Sequence, residues 1–196
     1  GDVVTDAKIT IPFDPWGQDV TLDPHRTVNW GPFWVMFPNV WGGLLRYDEN
    51  GKPEFDLAES MDLSDDGTTY TFKIKPDLKF ASGNPVNADA FIASWQRALD
   101  PANPSPMADF MALVAGYDDY LAGVSTDIGF AKIDDSTVSI TLNDVYTYFP
   151  SMLAAFVWSV VDPAVLEQLG DYEVVLGGGR TRPRQFSGFH PSSQVC

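Results

Sequence analysis

The sequence predicts an α+β fold with mixed or antiparallel sheets, and three observations carry that prediction. Two stretches alternate apolar and polar residues on either side of an Asp-rich turn, the pattern of an antiparallel hairpin. Helical patterns lie between and after these hairpins rather than after every strand, so the order is not that of a doubly wound sheet. With 44% hydrophobic and 13% aromatic residues in 196, the chain has enough apolar surface to bury a core.

The elements follow in chain order. Val3 to Phe13 is rich in β-branched residues and ends among prolines, so it reads as a strand. Residues 17–27 are turn-rich. Residues 30–45 hold Trp30, Trp34 and Trp41, and Pro32 and Pro38 leave room only for a short helix there. Asp65-Asp66-Gly67 is turn chemistry. After it, Tyr70, Phe72 and Ile74 face a core while Thr69, Thr71, Lys73 and Lys75 face water, with Leu57 to Leu63 as the partner strand. Asn87 is placed to cap a helix whose first turn holds Asp89. Val86 and Phe91 are spaced as a hydrophobic staple. The apolar stripe Phe91, Trp95, Ala98 and Leu99 ends at Asp100-Pro101. Ser105 and Pro106 open a further helix with Phe110, Met111, Val114 and Leu121 on its buried side. A second hairpin runs from Phe130–Ile133 through Asp134-Asp135-Ser136 to Val138, Ile140 and Leu142. Asp162-Pro163 starts a short final helix through Leu169, stopped by Gly170.

The formal charge of −15 argues against nucleic acid or an anionic membrane surface as partner, since both demand a basic face. No apolar run approaches the length of a membrane span. The single Cys196 excludes an internal disulfide. With only His25, His190 and Cys196 as soft ligands, neither a structural zinc nor any other cofactor is expected. All 27 acids precede Val174, whereas residues 174–196 carry Arg180, Arg182 and Arg184 in Gly-, Pro- and Ser-rich surroundings. That stretch reads as a disordered or non-native basic tail.

No catalytic motif stands out. The chain has no Gly-x-Ser-x-Gly elbow, no phosphate-binding loop and no Cys–His pair. Asp65/Asp66, Asp118/Asp119 and Asp134/Asp135 are read as turn formers, not as carboxylates facing across a hydrolytic cleft. His25 is read as a turn residue. The tryptophans Trp16, Trp30, Trp34 and Trp41 either fill a core or line a ligand surface.

Several ordered motifs carry more. Thr21-Leu22-Asp23-Pro24-His25, Gly43-Leu44-Leu45-Arg46-Tyr47, Leu57-Ala58-Glu59-Ser60 and Ser64 to Lys75 are followed by Leu78-Lys79-Phe80 and Gly83 to Asp89. Ser94-Trp95-Gln96-Arg97-Ala98-Leu99-Asp100-Pro101, Ser105-Pro106 and Tyr148-Phe149 complete the series. From Thr21 to Asp171 the chain strongly resembles the peptide- and oligopeptide-binding proteins of ABC importers, the extracellular solute-binding proteins of family five. The Ser-Trp-Gln-Arg and Asp-Pro pair is similar to the oligopeptide branch.

The resemblance implies a non-catalytic receptor with a type II periplasmic-binding-protein, clamshell fold. Hinge closure around a peptide would be its working step. The implied partners are a peptide ligand and an ABC-importer permease, with the protein a monomer on the periplasmic or extracellular side, lipid-anchored in the full-length parent or free. The implied layout is residues 1–40 in lobe I, 41–165 as the inserted lobe II, and 166–173 returning toward lobe I. The family's chain continues into a third lobe, so an N-terminal fragment with an incomplete ligand site is expected. Ligand-facing positions carried over are Val28, Asn29, Trp30 and Met107. Met107 stands where a Tyr is frequent, Met61 where a Trp is common and Ser82 where an Asp is common. The last two look like packing and turn changes. The alternatives are another solute of the same family (dipeptide, nickel or oligosaccharide) and, from a different class, a hydrolase using the acidic residues.

Overall fold

The computed structural model describes residues 23–27 and 37–165. The strand read at Val3–Phe13, the final helix beyond Val165 and the stretch from 174 onward lie outside the described residues. After a helical turn at 37–40, strands β1 (Leu45–Tyr47) and β2 (Pro53–Phe55) form a small antiparallel pair. Next come β3 (Ala58–Leu63), β4 (Thr69–Ile74), helix α1 (Ala88–Ala98) and a 3₁₀ turn (Ala108–Met111). Helix α2 (Tyr117–Leu121), β5 (Phe130–Asp134), β6 (Thr137–Thr141), helix α3 (Phe149–Leu153) and a 3₁₀ turn (Phe156–Trp158) complete the order. The main sheet is antiparallel throughout, in the order β3-β4-β6-β5.

Both expected hairpins form. Gly67 has φ +75° at the tip of the first, a conformation open to glycine without a Cβ penalty. Asp66 Oδ1 accepts from the Ser64 and Thr68 hydroxyls and from the Thr68 backbone N–H, so this acid is consumed by its turn. Asp134 does the same with Ser136 in the second hairpin. The pleat sends Tyr70, Phe72 and Ile74 of β4 inward, beside Val138 and Ile140 of β6. Met61 packs partly buried against this core.

Helix α1 lies on β5 and β6. Its Asn87 side chain accepts from Ala90 N–H at 3.0 Å, as an N-cap should. The Asn87→Ala variant is expected to lose about 1 kcal/mol, read as a lower urea midpoint with an unchanged slope. The buried face of α1 is Phe91, Ser94, Trp95 and Ala98. The Trp95 ring meets Phe91, Phe130 and Trp158 at centroid distances of 5.5, 5.1 and 5.8 Å. Of the four tryptophans read as core or ligand surface, Trp41 is buried in the core, and Trp16, Trp30 and Trp34 lie outside the described residues.

Two expectations are corrected. The single helix read from Pro106 through Leu121 is instead the 3₁₀ turn and the separate five-residue α2. Between them the backbone leaves helical geometry to pair with the end of β6: Val114 bridges Leu142, and Ala115 N–H donates to the Thr141 carbonyl. Gly116 then turns the chain at φ +81°, where a Cβ would sit 2.6 Å from the Asp127 carbonyl oxygen. Sheet pairing outweighs the apolar period here. Second, Asp118 and Asp119 are not in a turn but in the first turn of α2, where negative charge suits the exposed N–H groups.

Candidate ligand-binding site

The turn at 23–27 and the segment 158–161 meet on the last turn of α1. Asp23 is fully buried and forms an ion pair with the Arg97 guanidinium, through both carboxylate oxygens. Asp23 Oδ1 also accepts the His25 backbone N–H at 2.9 Å, which closes the Asx-type turn that Asp-Pro favours. Arg97 Nη1 donates to His25 Nδ1 at 2.9 Å, and His25 Nε2 lies 2.9 Å from the Ser159 carbonyl oxygen. Arginine can only donate, so Nδ1 is the acceptor and Nε2 carries the proton. The imidazole is therefore neutral. Burial, followed by the Arg97 charge, pushes the His25 pKa down from 6.5 to about 4, although Asp23 opposes the shift.

The neighbouring residues of α1 hold the outgoing segment. Ser94 Oγ accepts the Val161 N–H at 3.0 Å and donates to the Ala90 carbonyl, and Trp95 Nε1 donates to the Trp158 carbonyl at 3.2 Å. Val160 N–H donates to the Gly42 carbonyl. Further along, Asp162 is buried and accepts from Ser82 Oγ and Asn84 Nδ2. Ser82 thus serves a turn-to-segment tie, in keeping with a turn role.

Of the residues expected to face a ligand, Val28, Asn29 and Trp30 lie outside the described residues. Met107 is 6% exposed and precedes the 3₁₀ turn; its N–H donates to Ser105 Oγ at 3.1 Å. Ser105 N–H in turn donates to the Ala98 carbonyl at 2.7 Å. The C-terminal turn of α1 therefore anchors both the segment just before Val28 and the segment carrying Met107. A separate cleft of about 240 Å³ is walled by Phe37, Trp41, Tyr47 and Phe156 and reaches Ser159. Its acids are engaged: Asp48 Oδ1 accepts backbone N–H groups of Asn50 and Lys52, and Asp56 Oδ2 accepts that of Gly43. Among the described residues no group of three or more His, Cys, Asp or Glu could hold a metal. Nor is any helix among them long and apolar enough to cross a membrane.

This geometry has counterparts among known proteins. Residues 52–186 match the model of the bacterial extracellular solute-binding proteins, family 5. The chain belongs to this family. It is 36% identical over 160 residues to the periplasmic oligopeptide-binding protein OppA of Escherichia coli, covering 79% of this chain and 29% of that protein. It is likewise 36% identical over 134 residues to a dipeptide-binding protein of Lactococcus lactis, covering 67% of this chain and 24% of the relative. The family 5 chain therefore spans less than a third of the curated relatives it matches. Among solved structures, Haemophilus influenzae OppA in complex with the peptide RPPGFSPFR superimposes with a TM-score of 0.73 at 29% identity, over 79% of this chain and 31% of that one. Listeria monocytogenes OppA bound to peptide gives 0.71 at 26% identity, over 76% and 30%. The fold is that of the type II clamshell binding proteins.

The tie between His25 and Arg97 was not legible as a contact, since the two are 72 residues apart. His25 does sit in a turn, as expected, but it is also a buried hydrogen-bonding residue. The signal was present in two pieces. The Leu-Asp-Pro-His and Ser-Trp-Gln-Arg motifs stand out separately in the sequence, and the fold brings them into contact.

Proposed function

We propose that this chain contributes lobe II, residues 41–165, and an adjoining part of lobe I, residues 1–40, to an extracytoplasmic oligopeptide-binding protein that delivers peptides to an ABC-importer permease. It acts by capture and release, without catalysis, on the periplasmic or outer face of the cytoplasmic membrane. The observation that carries this reading is the 36% identity over 160 residues to an oligopeptide-binding relative, supported by solved neighbours that hold peptides. Val28, Asn29, Trp30 and Met107 are the ligand-facing positions. Anchorage of residues 23–27 and 105–107 on one helix end supports a pre-organised site. Peptides would be held through backbone hydrogen bonds, with water tolerating varied side chains.

A dipeptide is the second reading, favoured by the Lactococcus lactis relative. A chimera decides between them: the matched 160 residues replace their counterpart in Escherichia coli OppA. Calorimetry with separate dipeptide and tri- to pentapeptide pools is expected to show retained oligopeptide binding, within about tenfold of the parent. A folded chimera that binds only dipeptides establishes the second reading, and one that binds neither pool overturns both. The 196-residue chain alone is expected to bind neither pool tightly, because lobe closure needs two opposing faces.

A further inference from the structure

The 23–27 turn and the 158–161 segment both pack against α1. His25 joins the two across 134 residues of sequence through its Nε2, while its Nδ1 is held by Arg97 of α1. Its Nδ1 faces an N–H of Arg97, which has no lone pair to offer. Its Nε2–H faces the Ser159 carbonyl. A second ring proton would have to point at the guanidinium. We propose that Arg97 locks His25 in the neutral Nε2–H form, making the contact between the 23–27 turn and the 158–161 segment a staple that holds at neutral pH and opens in acid.

Among the described residues, charged and polar groups face His25 from three elements. The turn supplies Asp23 and Arg26, α1 supplies Arg97, and the outgoing segment supplies the Ser159 carbonyl. Arg26 also reaches the Arg97 carbonyl at 3.4 Å, so among the described residues two cations and one acid act on the ring. The lowered His25 pKa, about 4, agrees with this count. The sign follows. The unfolded chain takes up a proton near pH 6.5 and the folded chain only near 4. Stability contributed by the staple is whole above about 6.5, and it is lost as pH falls toward 4. Arg97 acts on the junction through His25, and is thus a positioning residue. The inference does not rest on the peptide reading, since none of its readouts involves a ligand.

The test uses the full chain, in which His25 and His190 are the only histidines. Nitrogen-15 NMR of the imidazoles, assigned with His190→Gln, is expected to show His25 as the Nε2–H tautomer and neutral above about pH 5. The unfolding constant should rise about a hundredfold between pH 6.5 and 4 beyond any change in His25→Gln, which can donate to Ser159 but cannot titrate. In Arg97→Met the His25 midpoint should move upward, because Asp23 is left to favour the imidazolium. A wild-type midpoint near 6.5, an Nδ1–H tautomer, or equal pH slopes in wild type and His25→Gln would each overturn the proposal. The wild-type titration and the His25→Gln comparison stand even where Arg97→Met fails to fold.

Discussion

Arg97→Met is expected to destabilise the chain by about 3–5 kcal/mol at pH 7, most of it through the carboxylate left behind. Asp23 is 0% exposed on its side chain, and Arg97 supplies its guanidinium through both oxygens. Methionine roughly matches the aliphatic stem but brings no charge, so the buried anion loses the guanidinium bound to both its oxygens. Breaking a buried pair from one side costs far more than the pair contributes, because the Coulomb gain only offsets desolvation. The double variant Asp23→Asn/Arg97→Met is therefore expected to be more stable than Arg97→Met alone. Urea unfolding of the four corners of the cycle measures the coupling. If Arg97→Met lies within about 0.5 kcal/mol of wild type, the ion pair is not the anchor of the 23–27 turn.

Trp95→Ala is expected to cost a similar amount, about 3–5 kcal/mol, for a different reason. The ring is fully buried among Phe91, Phe130 and Trp158, and alanine leaves a cavity those rigid rings cannot fill. The Trp158 carbonyl also loses the indole N–H that binds it at 3.2 Å. Trp95→Phe keeps much of the volume and removes that donor, so it should lose only about 1–3 kcal/mol. Against a typical domain stability of about 5–15 kcal/mol, the alanine variant will be marginal at 37 °C. Hydrogen exchange checks that α1 is the spine of the body: the loss should come with faster exchange of the Val161 amide, which Ser94 of α1 holds.

The two hairpins, the α1 cap and the apolar stripe on α1 were legible because each depends on neighbours within a few residues. Period-2 alternation, an Asp-Gly turn and an Asn placed three residues before the N–H it binds are local decisions. The family was legible for a related reason, because its motifs are the residues those local structures require. The helix read across Pro106–Leu121 failed where a distant strand intervened. The apolar spacing of Phe110, Met111 and Val114 is real, but Val114 and Ala115 take their backbone partners from Leu142 and Thr141. A backbone donor needs a partner wherever it is buried, and nothing in the local pattern tells which strand will offer one.

The charge first read from composition takes its meaning only in the structure. Most of the paired acids that could suggest catalysis serve turns and a helix start, whereas the buried Asp23 carboxylate is paired with Arg97, 74 residues away. By itself the sequence determined the class of fold, the positions of the two hairpins, the inward face of β4 and the family, all set by short-range periodicity and turn chemistry. Only the tertiary structure decided that a helix end, an incoming turn and an outgoing segment converge on His25. That convergence is a product of packing: desolvation makes each of these polar groups costly unless paired, and the partners that satisfy them lie far apart along the chain.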